Sequence, residues 1–334
     1  MDNQEIFANG IKQKYSIPTD SKFTQICWSP DGDCLALGDD NSNCVLWSLS
    51  TGKSEWSDTG ASAGVKSVAW DAKGQRIAIG CVDGSIQIHY RDNPIHYWKD
   101  QGIIIRQDEA NGNCEWEHLI QLNRWGDNQV IPGTVAYIQW TNFPDTLLSS
   151  HQSGETVLWD LRNGEMIFRQ SYTGIDDTDN TNSVDPRGNL LAFAISRSLQ
   201  IWNIQPWRKE VEIMQDFPHW PSCLEWSKDG KFIAVATWNG KIFIFDIERR
   251  SCIKTINASR DRLRAISFSH DGSLMAVIGA DQIIRVWRTE DWSTRIQLPD
   301  LDGPLSECLA FHPKYNLLAV GTKNGQLIKI FELS

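Results

Sequence analysis

Residues 222–247 read Ser-Cys-Leu-Glu-Trp-Ser-Lys-Asp-Gly-Lys-Phe-Ile-Ala-Val-Ala-Thr-Trp-Asn-Gly-Lys-Ile-Phe-Ile-Phe-Asp-Ile. Leu224 and Trp226 alternate with polar neighbours, Lys228 to Gly230 punctuate a turn, and Phe232 to Ala236 form a compact apolar run. Asn239-Gly240 then supplies a second turn before a third run, Ile242 to Ile247. Three short strands joined in a meander cannot stand alone, because each face of so small a sheet needs something to cover it.

The cover comes from copies of the same stretch. Trp226 stands four positions before the turn glycine Gly230; its equivalents are Trp28, Trp70, Trp140, Val184, Phe268 and Phe311. In chain order the seven are separated by 42, 70, 44, 42, 42 and 43 residues. A period near ~42 with several short strands in each unit is that of four-stranded propeller blades. The third runs sharpen the identification: Leu46-Trp47-Ser48, Leu158-Trp159-Asp160-Leu161, Ile201-Trp202-Asn203, Ile244-Phe245-Asp246, Val286-Trp287-Arg288 and Ile330-Phe331-Glu332. At these residues the chain resembles the WD-repeat β-propeller family.

The resemblance implies an all-β fold: one seven-bladed β-propeller of four-stranded antiparallel blades, occupying residues 1–334 as a single domain. The last repeat ends directly after its third strand, so residues 11–17 are expected to supply the missing outer strand, which also covers an open sheet edge. The family's Gly-His dipeptide ahead of the first strand is absent from every repeat, so its usual His-to-Asp hydrogen-bond network is expected to be incomplete. Turn residues remain at Asp83, Asn239, Asp281 and Asn324, where φ > 0 or local side-chain bonding suits them.

Composition narrows the function classes. A net charge of -10 and a pI near 5.2 argue against nucleic acid as the main partner, because phosphate binding needs clustered Lys and Arg. No apolar run approaches the ~20 residues of a membrane span, and Met1 to Lys12 lack the basic-then-apolar order of a secretory signal. A cytoplasmic location is expected, with the nucleus as the alternative. The eight cysteines never pair at metal-ligand spacing, and most fall in predicted strands, where a thiol behaves as a small hydrophobe.

Catalytic signatures are missing. The seven histidines form no close pair, there is no Gly-x-Ser-x-Gly elbow, and Gly52-Lys53-Ser54 lacks the earlier glycine of a phosphate loop, Trp47 standing in its place. Asp176, Asp177 and Asp179 lack the glycine and distal glutamate of a calcium loop and read as a solvated acidic loop. Arg249-Arg250 lacks the Phe-Arg-Arg-Gly setting by which some propellers bind phosphoinositides. No catalytic residue, metal site or cofactor is expected.

What remains is protein binding. Phe217-Pro218-His219-Trp220-Pro221 places an aromatic between two prolines in the loop leading into a first strand. In this family such loops share one face with the turns between second and third strands, one of which holds Trp238. Arg260, Arg262 and Arg264 are read into the next leading loop. Trp220, Trp238, Arg262, Arg264, Lys66 and Tyr137 are therefore the candidate partner contacts, since Trp and Arg dominate interface energetics. The alternative is that Trp220 and Trp238 simply pack on each other.

A second candidate surface is the insertion over residues 91–133, which carries roughly 28 residues beyond the period and holds Trp98, Trp116 and Trp125. Within it, Ile103 to Arg106 and Trp116 to Leu122 flank Asn111-Gly112-Asn113 and read as an added hairpin. Long insertions in uniform repeats are where function tends to lodge; the other reading is a decorated blade covering its own edge.

A third stretch, Leu147 through Arg162, is similar to the box by which WD-repeat substrate receptors dock the adaptor of cullin-RING ubiquitin ligases. Trp159, Asp160 and Arg162 would be the docking residues. Gln152 and Ser153 stand where that pattern prefers an acid, and Trp-Asp-x-Arg also arises in ordinary blades. The sequence thus reads as a non-catalytic interaction scaffold, a monomer within a hetero-complex, with the ligase receptor as the alternative.

Overall fold

The computed structural model describes residues 6–7, 11–19, 22–58, 64–91, 116–122, 124–125, 129–130, 133–162, 164–171, 182–195, 198–298, 308–322 and 325–333. The described residues contain no α-helix, and their strands build seven antiparallel sheets, the blades of a β-propeller, each in meander order. Blade five shows the pattern: Pro221–Trp226, Phe232–Thr237, Lys241–Asp246 and Ser251–Asn257 pair in sequence. A separate two-stranded ribbon joins Arg124–Trp125 to Gln129–Val130.

The chain divides into two compact units. Residues 24–178 hold blades one to three; residues 1–23 and 179–334 hold blades four to seven. Within the second of these, Ile11–Pro18 pairs with Leu327–Leu333, running from Ile11 opposite Leu333 to Pro18 opposite Leu327. It is the fourth strand of blade seven, and Ile6–Phe7 adds a short fifth strand at its edge.

One stretch pairs differently from the expected hairpin. Trp116–Leu122 is the fourth strand of blade two, running antiparallel to Ile86–Arg91. The third strand's outer N–H and C=O groups need a ladder, and this segment supplies it after the longer excursion. Residues 103–106, the other half of the expected hairpin, lie outside the described residues.

The strands owe their order to burial. Ile233, Ala234, Val235 and Ala236 are all fully buried, so blade five's second strand is covered on both faces and reads as a continuous apolar run. Six second strands carry a fully buried alanine at one repeated place, Ala36, Ala78, Ala192, Ala234, Ala276 and Ala319; blade three has Leu148 there. Large side chains fill the third strands opposite, such as Phe245 and Phe331, each contributing about 1.5–3 kcal/mol by burial. Fourth strands are half wet: in Ser251–Asn257, residues 253–255 and 257 are exposed.

A repeated turn sets the register. The residue after each periodic aromatic or apolar position, namely Ser29, Asp71, Thr141, Asp185, Ser227, Ser269 and His312, donates its N–H to the carbonyl five residues on. In five blades its side chain also accepts the returning amide: Cys34 to Ser29 Oγ, Arg76 to Asp71 Oδ1, Leu190 to Asp185 Oδ1, Phe232 to Ser227 Oγ and Leu274 to Ser269 Oγ. Such side-chain bonds satisfy backbone groups that the tight turn would otherwise strand.

Side chains of first strands then reach the neighbouring blade. Trp226 Nε1 donates to Ser183 O at 2.9 Å, Trp140 Nε1 to Ala69 O at 3.0 Å, and Ser67 Oγ to Val135 O at 2.9 Å. Phe311 N donates to Ser267 Oγ at 3.0 Å. The Glu225 carboxylate accepts the Phe268 amide; burial raises the Glu225 pKa, against the pull of Lys228. Each bond occupies a backbone group on the open edge of a first strand.

Candidate partner-binding site

The site begins with an anchor. Phe217 is buried in blade five, its ring 5.2 Å from Phe243 and 6.2 Å from Phe245, both edge-on. The chain leaves that anchor through Pro218-His219-Trp220-Pro221, and Pro221 opens the first strand. Trp220 is fixed on both sides of its α-carbon, its N–H donating to His219 Nδ1 at 3.0 Å and its carbonyl accepting the Trp238 amide at 3.0 Å.

That last bond recurs in three other blades. The residue after the second strand also bonds the leading loop in Val82 to Gly64, Gln152 to Thr134 and Ala280 to Arg262. In these four blades it brings the leading loop and the second-to-third turn together. In blade five it places two tryptophans side by side: their centroids lie 6.1 Å apart with planes at 78°.

Further groups complete the cluster. His219 stacks on Trp238 at 6.0 Å with planes 4° apart, and the Arg262 guanidinium sits 4.3 Å from the Trp238 ring centroid. Trp238 and Arg262 are half-buried, whereas Trp220 remains 52% exposed. A guanidinium over an indole is worth about 0.5–2 kcal/mol, depending on how dry the contact is. The turn is held by Gly240, at φ +76, whose carbonyl accepts both the Ala258 and Ser259 amides. A Cβ there would come within 2.3 Å of the Ser259 carbonyl oxygen.

The other expected contacts fall elsewhere. Arg264 is a strand residue, in Leu263–Phe268, where the register shifts between Leu263 and Ala265; it does not belong to the leading loop. Lys66 occupies the matching irregularity of Val65–Trp70, and Tyr137 follows the one in Val135–Trp140. All three are half-buried. An extra residue at a bulge is displaced from the ladder, which sequence alternation alone does not reveal. Lys66 and Tyr137 belong to the unit of blades one to three, Arg264 to that of the tryptophan cluster. His219 is the member that the sequence reading passed over, although its place between proline and tryptophan was a signal.

In the insertion, Trp98 lies outside the described residues. Trp116 opens the fourth strand of blade two and Trp125 lies in the two-stranded ribbon.

Blade three gives the ligase-type box internal tasks. Trp159 is buried and donates its indole N–H to Ser149 Oγ at 2.8 Å; Ser149 Oγ lies 3.1 Å from His151 Nε2, and His151 Nδ1 faces Gly133 O at 3.4 Å. A neutral imidazole with its proton on Nδ1 satisfies this whole line, and burial lowers the His151 pKa from 6.5 to about 4. Asp160 takes Arg162 by Nε at 2.9 Å and Nη2 at 2.6 Å, and these hydrogen bonds hold its carboxyl below the usual range. The Arg162 side chain is nevertheless 63% exposed. Among the described residues no group of three His, Cys, Asp or Glu is placed to hold a metal ion, and no helix is long and apolar enough to cross a membrane.

Comparison with known proteins agrees with this architecture. Residues 12–48 and 52–89 match the family model described as WD domain, G-beta repeat, and residues 187–271 match the anaphase-promoting complex subunit 4 WD40 domain. The first of these matches starts in the strand Ile11–Pro18 and ends in the third strand of blade one; the second starts at Gly52, in the turn just before the fourth strand of blade one, and ends in the third strand of blade two. Telomerase protein component 1 of Mus musculus is 22% identical over 76% of this chain and 8% of its own length. Protein HIR1 of Mycosarcoma maydis is 22% identical over 63% of this chain and 17% of its own. Periodic tryptophan protein 2 of Saccharomyces cerevisiae is 29% identical over 60% and 25%. The chain thus spans a quarter or less of each of these relatives. The matched repeats and seven four-stranded blades together place the chain in the WD-repeat β-propeller family.

Proposed function

We propose that this chain is a non-catalytic platform for other proteins, acting in the cytoplasm as one subunit of a multiprotein assembly. The observation that carries the reading is Trp220, half exposed yet locked by two hydrogen bonds and flanked by prolines. Large aromatics held rigidly in solvent lose little entropy on binding, and they anchor interfaces. Support also comes from names: one matched family is described as a complex subunit and the mouse relative as a protein component of telomerase.

Affinity purification from the native cell with mass spectrometry tests it. The set captured by the wild type is expected to disappear with Trp220→Ala plus Trp238→Ala and to survive deletion of residues 98–115, which stops short of the blade-two strand Trp116–Leu122. Retention of every partner by the double variant, with circular dichroism showing it folded, overturns the assignment to this rim. A second reading, docking of a ubiquitin-ligase adaptor, has only the exposure of Arg162 in its favour; Arg162→Glu would then remove the adaptor alone.

A further inference from the structure

The charge around the tryptophan cluster runs against that of the molecule. The leading loop Ala258-Ser259-Arg260-Asp261-Arg262 carries two cations and one anion, a net +1, in a chain of net -10, and Arg264 follows in the first strand of blade six. Asp281, on the adjoining turn of blade six, is committed elsewhere: Arg285 holds both its oxygens, at 3.1 and 2.6 Å, and Ser259 Oγ donates to it at 2.6 Å. Arg260 is exposed, and Arg262 lies over Trp238 beside the exposed Trp220. A cationic guanidinium already over that indole disfavours a second cation there and favours an anion.

From this juxtaposition we infer that the rim of blades five and six receives an acidic, extended segment of a partner protein, with Trp220 as the apolar anchor and Arg260 and Arg262 as the carboxylate contacts. Arginine suits this task because its planar fork meets a carboxylate edge-on while its face stays on the indole. A nucleic acid fits less well. It needs a track of several phosphates, and two loop arginines on an acidic molecule offer a short one. The inference rests on the platform reading and adds the chemistry of the partner.

The test uses the full chain and fluorescence anisotropy with a labelled 14-residue peptide of Asp, Glu and Gly containing one Phe. Its Lys-for-acid counterpart and a 14-nucleotide oligothymidylate serve as rivals. The acidic peptide is expected to bind at least about ten-fold tighter than the Lys peptide, and to weaken about five-fold or more between 50 and 300 mM salt. Arg260→Glu with Arg262→Glu should lower its affinity at least about ten-fold, and Trp220→Ala about five-fold or more. Arg260→Gln with Arg262→Gln keeps the test open should charge reversal disturb folding, and Arg249→Glu at the opposite end of blade five should change nothing. Equal or tighter binding of the Lys peptide or the oligonucleotide, or no acidic-peptide binding up to about 1 mM, overturns the inference.

The two readings fail separately. If the native partners vanish with the tryptophan variants but persist with the arginine variants, the platform stands and the acidic partner falls. If they persist with both, the rim itself is misassigned.

Discussion

The guanidinium of Arg76, at the start of blade two's second strand, reaches Asp145 in the matching turn of blade three, with Nη1 2.6 Å from Oδ1. Its Nε simultaneously holds Asp71 Oδ2 at 3.1 Å, and its Cζ lies 4.3 Å from the Trp140 ring centroid. One side chain thus joins turns 69 residues apart across the long insertion. Arg76→Ala should destabilise the protein by about 2–3 kcal/mol, because it leaves the buried Asp71 carboxylate without its cation. Asp145→Asn, at a 42% exposed side chain, should cost under about 1 kcal/mol. Urea unfolding of both single variants and the double variant gives the coupling; equal losses would mean that Asp71 does not depend on Arg76.

Trp226 offers a cleaner deletion. Trp226→Phe retains an aromatic ring but removes the donor to Ser183 O and leaves a small void. A loss of about 1–3 kcal/mol is expected, read as a lower urea midpoint. An unchanged midpoint would show that the bond between blades four and five adds nothing net.

Two turn glycines separate strain from crowding. Gly272 has φ +70 with open space around its would-be Cβ, so Gly272→Ala should cost about 1 kcal/mol from conformation alone. Gly240→Ala combines the same strain with a clash on Ser259, and should cost more and shift the Trp238 turn. Thermal unfolding of the pair distinguishes the two, and equal midpoints would refute the crowding argument.

His151 links blade three to pH. Its folded pKa, about 4, lies below the ordinary 6.5, so the folded state takes up its proton later than the unfolded chain. Its contribution is full above pH 6.5 and is lost as pH falls toward 4, amounting to roughly 3 kcal/mol once fully expressed. His151→Gln should flatten stability across that window while lowering it at pH 7. A wild-type slope that persists in the variant would assign the dependence to other groups.

At the rim, stability and binding should separate. Trp220→Ala removes a half-exposed ring and is expected to change stability by less than about 1 kcal/mol. Trp238→Ala removes the surface on which His219 and Arg262 lie, and should cost about 1–3 kcal/mol. Calorimetry on both variants checks this; a larger loss for Trp220 would make it a structural residue.

The sequence by itself determined the repeat and hence the blades. Burial on both faces leaves a period of short apolar runs, and each turn needs its own local chemistry at a fixed distance from Trp28, Trp70 or Trp226. Local patterns of this kind are written in consecutive residues. The sequence also marked Trp220, because a tryptophan between prolines has few local reasons to exist.

Only the tertiary structure decided which side chains meet. It assigned Trp116–Leu122 to blade two, since edge hydrogen bonds choose a partner strand by proximity and not by spacing. It moved Arg264, Lys66 and Tyr137 into bulged strands, and it added His219 to the tryptophan pair. It turned Trp159 inward and tied Arg162 to Asp160. These outcomes depend on groups that converge from distant parts of the chain, where desolvation and reach select the contact, and no local pattern encodes either.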